Sequence, residues 1–254
     1  MKTCSIKNNL FIFLLSIGLL IAFWQILYIS ISNSIILPGP FETFKRLELF
    51  FVEGDVYYPL LITSLQALLG MCLAVVCSLF LGFLMGVNNF IFQLFKPIVM
   101  FFQAIPIVSW LALAILWWGI GFSSPVYIVF LTLFPILTIS IAQGVQSVDV
   151  KLVEMAKIYN FSKKQIIIDI YLSSSIPFII SSLRIGIGVM WKSVAVAEFM
   201  VGSTGIGREI YDAKYMIETV DVFAWTILLI ILGILSEKIF DQFSSKVWRK
   251  NGQH

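Results

Sequence analysis

The chain has 254 residues, of which 59% are hydrophobic and only 12% charged, about half the charged share of an ordinary soluble domain. That composition excludes a water-soluble globule, and a net charge of +3 from seventeen basic and fourteen acidic residues, widely dispersed, gives no footing for nucleic acid. Residues 56–95 and 97–148 contain no Asp, Glu, Lys or Arg, and each stretch exceeds the roughly 20 apolar residues a helix needs to cross the hydrocarbon core.

The first apolar run, Leu10 to Ile31, follows Lys2 and Lys7. It is longer than the apolar part of a signal peptide and no A-x-A site follows, so it reads as a retained first span after a short N-terminal segment, 1–9. A second span is expected over Leu60 to Val87, ending at Asn88-Asn89. Lys96-Pro97 opens a third that continues to about Trp118. The turn-rich run Gly119 to Pro125 then breaks the chain before a fourth, Val126 to Ala142. Cys72 and Cys77 within span two are expected to be buried as small hydrophobes. With Cys4 they form no CxxC pair, and the single histidine is His254, so neither a structural zinc site nor a His-based triad is indicated.

Between spans four and five, residues 143–174 form the longest loop that is rich in signals. Asp149 can cap a helix over Val150 to Tyr159, and Asn160 stands where a left-handed residue would end it. Ser162 and Gln165 have the spacing of a capping box, and Phe161 with Ile166 that of a hydrophobic staple. Two short helices meeting at a tight corner are expected, an elbow suited to a soluble partner; an amphipathic segment resting on the bilayer is the plainer alternative.

Span five, Ser175 to Met200, differs from the others in carrying Arg184, Lys192 and Glu198. A basic residue facing lipid near the bilayer centre costs about 2.5 to 3.5 kcal/mol, so these should face protein or a water-filled path. At 100° per residue, Arg184 and Glu198 point within about 40° of each other and Trp191 shares the face, although the two charges lie about 21 Å apart along the axis. Arg184 and Lys192 could favour an anionic solute. Alternatively, Arg184 binds backbone carbonyls and Lys192 pairs with Glu198. Gln103, Ser109 and Trp110 are further candidates for a polar path in span three. Span six is expected near Val220 to Phe240, followed by a tail, 241–254. With the N-terminus inside, eleven basic residues fall on inner segments and four (Lys45, Arg46, Arg208 and Lys214) on outer ones, which places both termini in the cytoplasm.

Glu154-Met155-Ala156, three residues, Asn160, nine residues, Ile170, one residue and Leu172 resemble the EAA loop of binding-protein-dependent ABC importer permeases. Two positions depart from it: Asn160 replaces the usual glycine and Ser173 the usual proline. Asn tolerates a left-handed corner next best after glycine. The resemblance extends from about Leu37 to the C-terminus. Leu37-Pro38-Gly39-Pro40, Ile105-Pro106, Leu116 to Gly121, Phe134-Pro135-Ile136, Gly144 to Asp149, Leu183 to Gly186, and Ala197-Glu198 leading to Thr204-Gly205-Ile206-Gly207 are similar to the sulfonate, nitrate and taurine branch.

The resemblance implies an all-α membrane protein with six transmembrane helices and the type I ABC importer (MetI-like) permease fold. The permease domain would occupy 10–240, with its core at about 60–240 and the coupling loop 143–174 as the elbow between spans 4 and 5. It implies that Glu154, Met155, Ala156, Asn160 and Phe161 dock on cytoplasmic ATPase subunits, that two copies pair as a homodimer in the cell membrane, and that an extracytoplasmic solute-binding protein delivers the solute. The solute would be a small polar anion of the sulfonate, nitrate or taurine kind, or else a thiamine-precursor pyrimidine or another small metabolite. No G-x-x-x-x-G-K-[ST] is present, so the chain carries no cofactor of its own, and ATP and Mg would be used by the partner. The competing classes fare worse. An ion-coupled secondary transporter should show internal repeats with matched broken helices, and an intramembrane enzyme needs a reactive cluster at membrane depth; neither pattern is visible.

Overall fold

A computed structural model describes the backbone of residues 3–251 and the side chains of Ile12 and residues 15–245. The side chains of Lys2, Cys4, Lys7, Lys246, Arg249, Lys250 and His254, and with them parts of the expected terminal segments, lie outside the described residues. All regular structure among the described residues is helical: α1 (Thr3–Ile31), α2 (Pro40–Glu53), α3 (Tyr57–Val87), α4 (Asn89–Ala104), α5 (Ile107–Trp118), α6 (Ser123–Gln146), α7 (Val150–Ile158), α8 (Lys163–Gln165), a π-helical stretch Ile166–Leu172, α9 (Ser173–Val201), α10 (Ile206–Tyr215) and α11 (Thr219–Asn251). Four of the described helical runs are long and apolar enough to cross a membrane, five if the bent pair α4 and α5 counts as one span. Each expected span has a helical counterpart, α1 being the first.

Span three departs from expectation at both ends. Asn88 caps α4, accepting from the backbone N–H of Phe90 at 2.9 Å and of Ile91 at 3.4 Å, so the helix begins well before Lys96 and carries Pro97 inside it. It then stops at Ala104, and α5 leaves at 90°. Pro106 is the cause, since it offers no N–H and pushes Ile105 out of helical geometry, to φ −69° and ψ 123°. Two elements fall where the sequence reading placed only connecting segments. Helix α2 has Pro40 at its start and Gly54 (φ 89°) at its end; α10 follows the glycine turn after span five.

The chain divides into two compact units, Met1–Tyr58 with Glu209–Leu228, and Pro59–Arg208 with Leu229–His254. In the first, aromatic side chains and one ion pair join α1, α2 and the start of α11. Trp24 donates its indole N–H to the Pro38 carbonyl at 3.0 Å and stacks on Phe223 at 5.8 Å, while Phe50 stacks on Trp225 at 4.4 Å. Arg46 donates to both carboxylate oxygens of Asp221, at 2.7 and 2.8 Å; these bonds raise the guanidinium pKa above its ordinary value and keep it charged. The corner before α11 places Ile217 in the left-handed region, φ 63°.

The second unit is built on α3, α6 and α9. Ala67 and Ala74 from α3, Val129, Leu133, Leu137 and Ile141 from α6, and Met190 and Val194 from α9 form one buried cluster. Gly70, Ala74, Ser78, Gly82 and Gly86 recur every fourth residue along α3, and a β-carbon on Gly70 would lie 2.7 Å from the Val126 carbonyl, one on Gly82 2.8 Å from that of Thr138. In lipid, where apolar burial between helices gains little, this close backbone approach and the bond from the Ser78 hydroxyl to the Phe134 carbonyl (2.9 Å) hold α3 on α6. Cys72 and Cys77 lie off that stripe and are exposed, not buried as expected.

Candidate functional site

The elbow is set by two local motifs. Asp149 caps α7 by accepting from the Lys151 N–H at 2.9 Å. At the other end Asn160 adopts φ 59°, its N–H donates to the Lys157 carbonyl at 3.1 Å, and the Phe161 N–H donates to the Ala156 carbonyl at 2.9 Å. These paired bonds around a left-handed residue are the hydrogen-bonding answer to the last carbonyls of a helix. Ser162 and Gln165 then close a reciprocal capping box, the Ser162 N–H donating to Gln165 Oε1 at 2.9 Å and the Gln165 N–H to Ser162 Oγ at 3.3 Å.

The two faces of α7 differ. Val153 and Ala156 are buried with Val148 and Ile166, and Ile170 and Tyr171 pack against them. Met155 (50% exposed), Ile158 (78%) and Tyr159 (72%) point away, together with exposed Glu154 and Leu152. A hollow of about 320 Å³ opens beside them, lined by Met155, Ala156, Tyr159, Phe161, Asp169 and Ile170 among others. Of the expected staple pair, Ile166 enters the elbow's small core and Phe161 lines the hollow. Nor is the second elbow helix a separate piece. It runs through the π-helical stretch directly into α9, giving a 39-residue helical run from Lys163 to Val201.

The polar residues of span five have different surroundings. Arg184 is exposed and pairs with Asp241 of α11 at 2.9 Å, the two side chains being 59% and 41% exposed. Glu198 is 0% exposed. It pairs neither with Lys192 nor with solvent: Oε2 accepts from the Thr63 hydroxyl at 2.9 Å and from the Gly207 N–H at 2.8 Å. Thr63 Oγ1 in turn accepts from the Ile206 N–H at 2.8 Å. Glu198 is thus enclosed by residues of α3 and of the turn that leads into α10. Trp191 donates to Ser236 Oγ at 2.7 Å, and Lys192 is exposed. Gln103 and Ser109 are exposed on either side of the α4–α5 break, while Trp110 is buried and stacked on Phe102 at 5.8 Å.

Two partners of these residues lie outside the predicted set. Thr63 is a polar residue in a charge-free run, one helical turn before Gln66. Asp241 lies just past the expected end of span six, where an acid reads as a flanking charge.

Comparison with known proteins places this geometry. Residues 74–249, well over half of the chain, match the family described as binding-protein-dependent transport system inner membrane component. A Bacillus subtilis (strain 168) permease described for aliphatic sulfonates transport is 29% identical over 240 residues, covering 92% of this chain and 86% of that protein. The nitrate import permease protein of Synechocystis is 27% identical over 241 residues, covering 91% and 87%. Among solved structures, the MetNI methionine ABC transporter in an inward-facing conformation aligns with a TM-score of 0.66 at 20% identity over 74% of this chain and 94% of that one, which establishes the fold. The chain therefore belongs to the binding-protein-dependent transport system inner membrane components: it is a multi-pass permease of the ABC importer kind, related to sulfonate and nitrate permeases, and not an enzyme.

Proposed function

We propose that this permease passes a small anionic solute of the sulfonate or nitrate kind across the cytoplasmic membrane by alternating access, driven by cytoplasmic ATPase subunits seated on the elbow 149–174. The observation that carries the docking is the exposed apolar face of α7. Met155, Ile158 and Tyr159 stand out from a helix capped at both ends, and a rigid, uncovered apolar patch beside a hollow is what a soluble partner covers. Lys151, Lys157, Lys163 and Lys164 ring the elbow and support its cytoplasmic placement with both termini on the same side. A solute-binding protein on the opposite side delivers the solute, and a second copy of the chain completes the path.

Within this reading Arg184 serves the pairing of α9 with α11, and Lys192 is the cation offered to the solute. Replacing Glu154 with Lys or Ala156 with Trp should abolish co-purification of the ATPase while the chain still inserts; retained co-purification removes the docking role from the elbow. Uptake of labelled alkanesulfonate and of nitrate, each measured in a strain lacking this permease and in the same strain restored, tests the solute class. Unchanged uptake of both overturns it.

A further inference from the structure

The end of α9 remote from the elbow is tied down with unusual completeness. Three structural features meet at Glu198. Its carboxylate collects the Thr63 hydroxyl from α3 and the Gly207 N–H from the start of α10, and Thr63 collects the Ile206 N–H. The turn between α9 and α10 wraps it closely. Gly205, at φ 114°, packs directly on the carboxylate, leaving no room for a β-carbon, and a β-carbon on Gly202 would lie 2.7 Å from Glu198 Cα. Finally, Glu198 Oε1 is buried with no hydrogen-bond partner. A buried carboxylate with half its accepting capacity unused is a poor stabiliser compared with an apolar side chain of similar volume. Solute contact does not explain it either, because the group is wholly enclosed.

What the arrangement does achieve is linkage. Ile166 of the elbow core and Glu198 belong to one helical run and are separated by about 48 Å of helix. We infer that Glu198 is a positioning residue that makes α9 a transmission rod: it locks the 202–207 turn and α3 to the far end of α9, so that displacement of the elbow by the ATPase is carried to that turn. This rests on the reading of the elbow as the ATPase docking site.

The test uses the full permease–ATPase complex in membranes, in a background with Cys4, Cys72 and Cys77 replaced by Ser. Exposed Ser203 in the turn is replaced with Cys (Ser203→Cys) and labelled with a membrane-impermeant maleimide, with and without Mg and a non-hydrolysable ATP analogue. With Glu198 intact, nucleotide should change the labelling rate at least about fivefold, the lower end of typical coupling between distant sites. Glu198→Ala should lose that dependence while the ATPase still co-purifies. Glu198→Gln should keep it, because the amide oxygen can still accept from Thr63 and Gly207. If Glu198→Ala fails to assemble, Thr63→Val removes the same bridge at nearly constant volume and should show the same loss. Nucleotide-dependent labelling that persists in Glu198→Ala or in Thr63→Val overturns the inference. No nucleotide dependence with Glu198 intact, or loss of it only when the elbow variants release the ATPase, separates the two ideas: the first overturns the driven-permease reading together with the inference, the second supports the docking site.

Discussion

A β-carbon on Gly86 would fall inside the van der Waals shell of Val145, whereas one on Gly18 meets nothing within 4 Å. The two glycines therefore predict opposite outcomes. Gly86→Leu should destabilise the detergent-solubilised chain by about 1 to 3 kcal/mol through overpacking, seen as a lowered unfolding temperature, and Gly18→Ala should leave it unchanged. The fourfold spacing of Gly70, Ala74, Ser78, Gly82 and Gly86 was open to view in the sequence. Its partner was not, because glycine is common in membrane helices and only the tertiary structure says which face meets α6. The same limit explains Cys72 and Cys77. Their apolar surroundings in the chain were read as burial, but in a membrane protein an apolar neighbour is as often lipid as protein. Glu198 shows the converse. The cost of a charge in lipid directs it to protein or to a water-filled path, yet its partner is Thr63, 135 positions away, which no local pattern encodes.

At the scale of single elements, the elbow was legible because its signals are local. Asp149, Asn160 and the Ser162–Gln165 box each act within a few residues, and the structure reproduces all three. Asn160→Val should cost about 1 to 2 kcal/mol of elbow stability, since a β-branched residue is strained at φ 59°, while Asn160→Gly should cost nothing. Ser162→Ala should cost about 0.5 to 2 kcal/mol. Faster amide hydrogen exchange confined to 150–165 would register both losses. The π-helical stretch had no such signature; the Ser173 hydroxyl donates to the Ile168 carbonyl at 3.3 Å across its widened turn. The Arg184–Asp241 pair also spans two elements, and removing either member leaves the other charge without its partner. Arg184→Gln should leave half-saturating solute unchanged, and Lys192→Gln should raise it; a rise with Arg184→Gln instead would return that residue to the path.

Several of the described helices leave much of their apolar surface uncovered. Only 17% of the most apolar window of the Lys163–Val201 run lies inside the chain, against 56% for α6. Lipid and protein can both cover such faces, so the expected second copy is a matter for measurement: light scattering of the purified complex should give two permease chains. The bent pair has a consequence for how the chain is made. Helix α4, with 16 residues, and α5, with 12, would extend about 24 and 18 Å, each short of a hydrocarbon core of about 30 Å. Neither half can leave the insertion machinery alone, and the backbone groups freed at Ile105-Pro106 need protein around them in the membrane. Residues Leu111 and Ala114 find theirs in Ile128 of α6 and Ala197 and Val201 of α9. A nascent chain stopped after Trp118 should therefore leave this segment open to protease. One extended through Gln146 should begin to protect it, and one extended past Val201 should seal it, making the synthesis of later helices the event that settles an earlier one.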